Sequence, residues 1–353
     1  MMSEFAKTAG SPFVAWHERQ QRFWQETVLR SRPAPAWTTP NRVVRENDTA
    51  RLRDFSQPGA GGEAALIVPP EVNHSAIADF APGQSLVEAV RQHGFARVAA
   101  LEWKSATPAS AARDIDDSLI EIREAIRALG APVHLIGLCQ GGWESAMLCA
   151  LEPALCRSLT LVAAPIDFFA GAGFIRAVSA VMPMWAYQAL VLMGGGVMRG
   201  EFISLGFDNL LPLERYALKA LTVYNHIDDA EWMARFQRME DWYRTPKDLP
   251  GQLYLRAVKE LFKENRLIQG RFEALGRKVD LSRIECPLAL LAGSRDHITP
   301  PPQVWALARV ARSREVWQEE IPAGHVGTFM GRLAIERHWP RVLAWLREKT
   351  RCA

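Results

Sequence analysis

Val133-His134-Leu135-Ile136-Gly137-Leu138-Cys139-Gln140-Gly141-Gly142 is the stretch on which the reading of the chain turns. Its first six residues, apolar and partly branched, read as a short strand, and Gly142 to Leu151 follows a helical period. Between them a cysteine stands in the pattern G-x-nucleophile-x-G, the tight strand-to-helix turn that raises a nucleophile above a sheet. Small residues on both sides permit that turn. The N–H of Gln140, at the start of the helix, is then placed to stabilise an oxyanion. The plainer alternative is a buried strand-end cysteine whose glycines only pack.

Outward from this turn, short apolar runs alternate with helical segments from Glu63 onward. The runs are Ala64 to Val68, Phe95 to Leu101, Val133 to Leu138, Ser158 to Ala163, Pro287 to Ala292 and Glu315 to Ile321. Ser85 to Gln92, Asp114 to Ala128, Gly142 to Leu151 and Gln303 to Arg309 read as crossover helices. Continuous apolar strands joined by helices predict a mostly parallel sheet covered on both faces, an α/β architecture. From Asp167 to Asp280 the alternation stops and helical segments take over, which predicts a helical cap over 167–280 inserted in a core of 61–166 and 281–353. Residues 1–60 read as a peripheral helix (Phe13 to Leu29) and a Pro-rich linker.

Composition narrows the class. The 353 residues carry 42 Lys plus Arg against 39 Asp plus Glu, a net charge of +3 with no block of like charge, so neither nucleic acid nor a polybasic membrane anchor is expected. Five cysteines (Cys139, Cys149, Cys156, Cys286, Cys352) lack CxxC or zinc-type spacing and follow no signal peptide, which favours a reducing cytoplasm. Cys149 and Cys156 read as buried and inert. No histidines pair at metal-ligand spacing, so no metal is expected. Ala177 to Met193 is strongly apolar, but Pro183, Gln188 and the glycines from Gly194 make it a poor bilayer span. It reads as helix in the insertion, with contact to a lipid or polymer surface as the lesser reading.

A nucleophile at such a turn needs an acid and a base, in that chain order. Gly293-Ser294-Arg295-Asp296-His297 follows one strand-like run, and Pro322-Ala323-Gly324-His325-Val326-Gly327 follows the last. Asp296 and His325 therefore fill the two roles, at intervals of 157 and 29 residues from the preceding member. Singly, Asp296 reads equally well as a helix cap and His325 as a loop histidine. His297 reads as support for the acid, ahead of a direct catalytic part. A thiol nucleophile forms a thioester with an incoming acyl group. Exchange of one thioester for another is nearly isoenergetic, so a cysteine favours acyl transfer over hydrolysis.

These residues carry a resemblance. The chain resembles the polyhydroxyalkanoate synthases, most closely the short catalytic subunit of class III, over about Thr39 to Gly331. The elbow Gly137 to Gly142 is similar to that family's cysteine-bearing box, and Asp296-His297-Ile298-Thr299-Pro300-Pro301 and Gly324-His325-Val326-Gly327 to its acid and base motifs. Leu66-Ile67-Val68-Pro69-Pro70 with Asn73, Asp116-Asp117, Arg238-Met239-Glu240-Asp241-Trp242, Asn265 to Ile268 and Gly276 to Leu281 extend it. The resemblance implies an α/β-hydrolase fold with a helical cap. It also implies a 3-hydroxyacyl-coenzyme A substrate polymerised through a thioester on Cys139, with no cofactor. His325 would be the general base, and Asp296 would orient it or activate the incoming hydroxyl. It further implies a separate partner subunit, a homodimer or hetero-oligomer, and a place in the cytoplasm at the polymer granule. Departures from the family pattern are Glu71 where an apolar or aromatic residue is usual, His74-Ser75-Ala76, Lys104-Ser105-Ala106 after Trp103, and the bulky Trp143.

Asn73 is the candidate for a further oxyanion contact, with a turn as the alternative. Trp103, Trp143 and Trp242 are candidates to line an acyl channel, with packing as the simpler role. Two other functions stay open: a cysteine-dependent hydrolase of the dienelactone hydrolase or polyester depolymerase kind, and a non-catalytic granule-bound paralogue.

Overall fold

A computed structural model describes residues 12–209 and 218–350; Cys352 lies outside the described residues. Eight strands form one sheet: β1 (Arg42–Glu46), β2 (Ala50–Asp54), β3 (Ala64–Val68), β4 (Arg97–Trp103), β5 (Val133–Leu138), β6 (Cys156–Val162), β7 (Leu288–Gly293) and β8 (Val316–Ile321). Their order across the sheet is β1-β2-β4-β3-β5-β6-β7-β8. The β1 and β2 strands pair antiparallel with each other, and β2 antiparallel with β4; all later pairs are parallel. This order, with crossover helices between parallel strands, is the α/β-hydrolase fold.

The helices in chain order are α1 (Pro12–Trp24), α2 (Leu86–Gln92), α3 (Ile115–Leu129), α4 (Gln140–Leu151), α5 (Phe174–Val181), α6 (Met184–Met193), α7 (Gly200–Asp208), α8 (Lys219–Asn225), α9 (Ala230–Tyr243), α10 (Gly251–Arg256), α11 (Pro301–Val310), α12 (Gly327–Met330) and α13 (Trp339–Thr350). All six residues of β5 and all twelve of α4 are buried. A strand and helix with no polar face belong at the centre of a sandwiched sheet. The neighbouring α3 is amphipathic instead. Ile115, Leu119, Ile122, Ala125, Ile126 and Leu129 face the core, and Asp114 with Asp117 forms a capping box at its start.

Three boundaries differ from the sequence expectation. Residues 42–54, read as linker, form β1 and β2, whose Arg42, Arg45, Glu46, Arg51, Arg53 and Asp54 hide the strand pattern. Charge on an edge strand keeps it from pairing with another chain. The stretch 177–193, expected as helix in the insertion, belongs to two helices, α5 and α6, bent by 96° at a break that holds Pro183. Val181, Trp185, Leu192 and Met193 on this pair are exposed. No single helix among the described residues is long and apolar enough to cross a membrane.

The third difference concerns the cap. The chain divides into two compact units, residues 1–35 with 203–246, and residues 36–202 with 247–353. The expected insertion 167–280 is therefore split, its middle grouping with the amino-terminal segment. Within that smaller unit Val223, Ile227 and Met233 form a buried cluster on which Phe23, Trp232 and Phe236 pack. Arg30 is ion-paired with Asp241, and Gln237 donates to Glu26 at 2.5 Å. These contacts fasten the first helix to α8 and α9, a long-range pairing with no local signature. Short two-residue strand pairs, Val197–Met198 with Leu249–Pro250 and Glu273–Ala274 with Arg277–Lys278, punctuate the helical segments of the larger unit.

Candidate active site

Cys139 sits between β5 and α4 with φ 52° and ψ −115°, a backbone conformation that L-residues rarely adopt. The surroundings enforce it. A Cβ at position 141 would fall 2.2 Å from the Val68 carbonyl oxygen, and one at position 142 would fall 2.3 Å from Ala164 Cβ. Only glycine lets α4 start this close to the ends of β3 and β6. The Cys139 N–H donates to Val162 O at 2.9 Å, and the Cys139 carbonyl accepts from Gly142 N at 3.0 Å. Cys139 is thus pinned to the sheet and to the first turn of the helix.

His325 lies in the loop between β8 and α12, and Asp296 in the loop after β7. Arg295 N donates to Ala323 O at 3.1 Å, which ties the two loops together. His325 Nδ1 and Asp296 Oδ2 are 2.7 Å apart. A carboxylate only accepts, so Nδ1 carries the proton and Nε2 is left for another partner. The other oxygen of Asp296 accepts from Ile298 N and Thr299 N, both at 2.9 Å. Asp296 is therefore a fully occupied, buried acceptor. Burial alone would discharge the His325 ring, but the negative charges of Cys139 and Asp296 and hydrogen bonds to both outweigh it, and its pKa rises from 6.5 to about 10. Cys139, His325 and Asp296 thus stand in one chain of contacts.

The remaining candidates divide. Gln140 is the first residue of α4, so its N–H has no partner within the helix. Its side chain turns inward, Nε2 donating to Glu144 Oε1 at 3.0 Å. Asn73 lies in the loop after β3 with φ 64°, a left-handed position that asparagine tolerates better than most residues. Three expectations require correction. His297 is exposed and gives Asp296 no support, because backbone N–H groups already fill that role. Trp103 is completely buried and lines no channel; its Nε1 donates to Pro69 O at 2.8 Å and holds the loop after β3. Trp143 is packed in the core at 3% exposure. Trp242 belongs to α9 in the smaller unit, where it is buried.

Sequence reading missed a buried polar group on the other flank of the elbow. Glu71, in the loop after β3, accepts from Ser118 Oγ of α3 at 2.5 Å and faces Arg113 across 4.0 Å. Glu144, one turn into α4, is wholly buried. Burial, then the charge of Glu71, pushes its pKa well above the ordinary carboxylate range. Lys247 donates to the Trp103 carbonyl, and burial lowers its pKa to about 8. The available signal was Glu144 itself, the one charged residue in the run Trp143 to Leu151. A cavity of about 630 Å³ lined by Arg256, Lys259, Arg266, Arg271 and Glu260 among others lies elsewhere, with none of Cys139, Asp296 and His325 in its wall. Among the described residues no group of three or more His, Cys, Asp or Glu side chains is arranged to hold a metal ion.

An α/β-hydrolase fold with cysteine at the nucleophile turn is the class that this architecture defines. Solved structures share the fold. A monoacylglycerol lipase of Paleococcus ferrophilus aligns with TM-score 0.54 at 16% identity, covering 85% of this chain and 99% of that one. A hydrolase from Pseudomonas aeruginosa aligns with TM-score 0.53 at 15% identity, covering 90% and 100%. Within the class, the chain belongs to the family described as "Protein of unknown function (DUF3141)", whose pattern matches residues 118–321. Curated relatives are similar over most of the chain. The poly(3-hydroxyalkanoate) polymerase subunit PhaC of Allochromatium vinosum is 26% identical, covering 92% of this chain and 93% of that protein. The PhaC subunit of Haloferax mediterranei is 26% identical over 88% of this chain, which spans just 64% of that relative's length. That of Synechocystis sp. is 26% identical, covering 88% and 85%.

Proposed function

We propose that this protein is an acyltransferase that polymerises 3-hydroxyacyl-coenzyme A into a polyhydroxyalkanoate polyester. The observation that carries the reading is a cysteine at the strained turn whose partner imidazole is fixed by a buried carboxylate. Similarity to several poly(3-hydroxyalkanoate) polymerase subunits along most of the chain supports the substrate class.

In the proposed reaction His325 Nε2 already holds the proton taken from the Cys139 thiol, and the Cys139 sulfur attacks the thioester carbonyl. The tetrahedral oxyanion is met by the Gln140 N–H, with Asn73 as the candidate second contact. The bond to the coenzyme sulfur then breaks and His325 returns the proton to the departing thiolate, leaving an acyl thioester on Cys139. The 3-hydroxyl of a second monomer attacks that thioester while His325 accepts its proton. Asp296 keeps Nδ1 protonated throughout and steadies the imidazolium. An ester forms, the Cys139–acyl bond breaks, and its sulfur is reprotonated. Nothing is oxidised, and the energy of each new ester comes from a consumed thioester.

The same reading places the protein in the cytoplasm at a granule surface, with a separate partner subunit or a second copy. The exposed Val181, Trp185, Leu192 and Met193 of α5 and α6 favour apolar contact there. Incubation with 3-hydroxybutyryl-coenzyme A, with and without a class III partner subunit, tests the reading. Free thiol should be released and polymer should form. Release of thiol with only free hydroxy acid as product would make the protein a hydrolase, and no release in either case would remove the proposal.

A further inference from the structure

The groups beside Cys139 that the reaction above does not use are those of the buried acid pair. Glu144 and Glu71 are 0% and 2% exposed, on different elements, α4 and the loop after β3. Oxygen Oε2 of Glu144 is buried with no hydrogen-bond partner among the described residues, and so are Nε and Nη2 of Arg113. An unmatched buried carboxyl oxygen lowers stability, a cost a leucine at position 144 would not carry. Nothing in the packing of α4 calls for an acid there, since its other residues are apolar, small or engaged elsewhere. The partner that Glu144 does have is informative. Its Oε1 receives the side-chain amide of Gln140, the residue directly after the nucleophile.

Released from Glu144, the Gln140 side chain has a competing acceptor position. As the first residue of α4 it borders N–H groups that lack intrahelical partners, and its freed amide oxygen would compete for them. A helix-start N–H that is already bonded to a side-chain oxygen is lost to a substrate oxyanion. The charges around the pair fix its state. Burial raises the pKa of both acids; at Glu71 Arg113, the Ser118 hydrogen bond and Lys247 work against the rise, whereas at Glu144 the charge of Glu71 adds to it and outweighs the Gln140 hydrogen bond and Arg113. Of the two acids, Glu144 is the one pushed well above the ordinary carboxylate range, which favours its neutral form. As a neutral acceptor it holds the amide without adding negative charge beside a developing oxyanion.

We infer that Glu144 is a positioning residue for acyl-enzyme formation: by holding the Gln140 amide along α4 it keeps the helix-start N–H free for the oxyanion. The inference deepens the proposed acyl transfer and rests on it. Glutamine at 144 offers the same acceptor and a neutral amide, so E144Q should work nearly as wild type, whereas E144L should not.

Acylation of Cys139 by 3-hydroxybutyryl-coenzyme A, read by rapid-quench intact mass, reports the step directly. E144L is expected to slow it roughly 10- to 100-fold, as partial loss of one oxyanion donor does. Alkylation of Cys139 by iodoacetamide, which builds no oxyanion, should stay within about twofold of wild type. E144Q should restore acylation to within about threefold, and it keeps the inference testable should E144L fail to fold. In a Q140A background, E144L should cost nothing further, because Glu144 acts through the amide alone. Unchanged acylation in E144L, a more than tenfold loss in E144Q, or an equal loss in the Q140A background would overturn the inference while acyl transfer stood. Wild-type protein that fails to acylate at all would overturn both.

Discussion

The two flanks of Cys139 are built on opposite principles. On the His325 flank the acid is matched: Asp296 accepts three hydrogen bonds, and the loops that carry acid and base are joined by Arg295 N to Ala323 O. On the Glu71 flank, acids and a guanidinium are buried with atoms unmatched, namely Glu144 Oε2 and two nitrogens of Arg113. A matched network preorganises a group for proton transfer, and its geometry explains itself. An unmatched one lowers stability, so its retention points to a task other than holding the fold.

The largest expected effects fall on the matched flank. C139A removes the attacking atom and should lower thioester consumption by at least roughly 10⁴-fold, while the fold, monitored by circular dichroism, persists. D296N leaves the shape but loses the charge that steadies the imidazolium, and should lower the rate roughly 10²- to 10⁴-fold. A loss of less than tenfold in D296N would break the contrast between the flanks.

The same network sets a pH dependence of stability. The His325 pKa is raised in the folded protein from 6.5 to about 10. Its contribution is therefore fully present below pH 6.5 and is lost as pH rises through about 10. Thermal unfolding of wild type and H325Q across that window should show the difference between them shrink with rising pH. A difference independent of pH would contradict the ion pairing of His325 with Asp296.

Smaller effects are expected at the margins of each flank. W103F deletes the hydrogen bond to Pro69 O and leaves that buried carbonyl unmatched, at a cost of about 1–3 kcal/mol in denaturant unfolding. The loop after β3 should loosen with it, which would show as faster amide exchange over residues 71–75. H297A should change turnover by no more than about twofold, since the side chain is exposed and touches neither Asp296 nor the elbow.

How far the sequence foretold this molecule depends on how local each signal is. The turn at Cys139 was legible because glycine at 137, 141 and 142 has one physical cause, the close approach of α4 to the strands: a Cβ at 141 or 142 would strike Val68 or Ala164, and one at 137 would strike the start of α4 itself. The parallel strands were legible because burial on both faces demands continuous apolar runs. Residues 42–54 escaped because edge strands carry charge, and their alternation was masked by arginines. The grouping of the first helix with α8 and α9 escaped because Phe23 packs on the Val223 cluster and meets the Tyr224 ring about two hundred positions away, without any periodic mark. In the site, Asp296 and His325 stood behind recognisable strands. His297 was misjudged because adjacency in sequence says little about which way a side chain faces in a loop. Trp103 and Trp143 were misjudged in part because tryptophan serves a core as readily as a channel. Glu144 was overlooked although one acid within an apolar helix is a visible anomaly.

The central claim is that Cys139 becomes acylated by a coenzyme A thioester. Intact mass spectrometry after brief exposure to 3-hydroxybutyryl-coenzyme A measures this independently of how the acyl group is later transferred. The account predicts a single added 3-hydroxybutyryl group, mapped by peptide to Cys139, extended to oligomers with time and absent from C139A. An unmodified chain alongside full consumption of the thioester, or the same adduct on C139A, would contradict it.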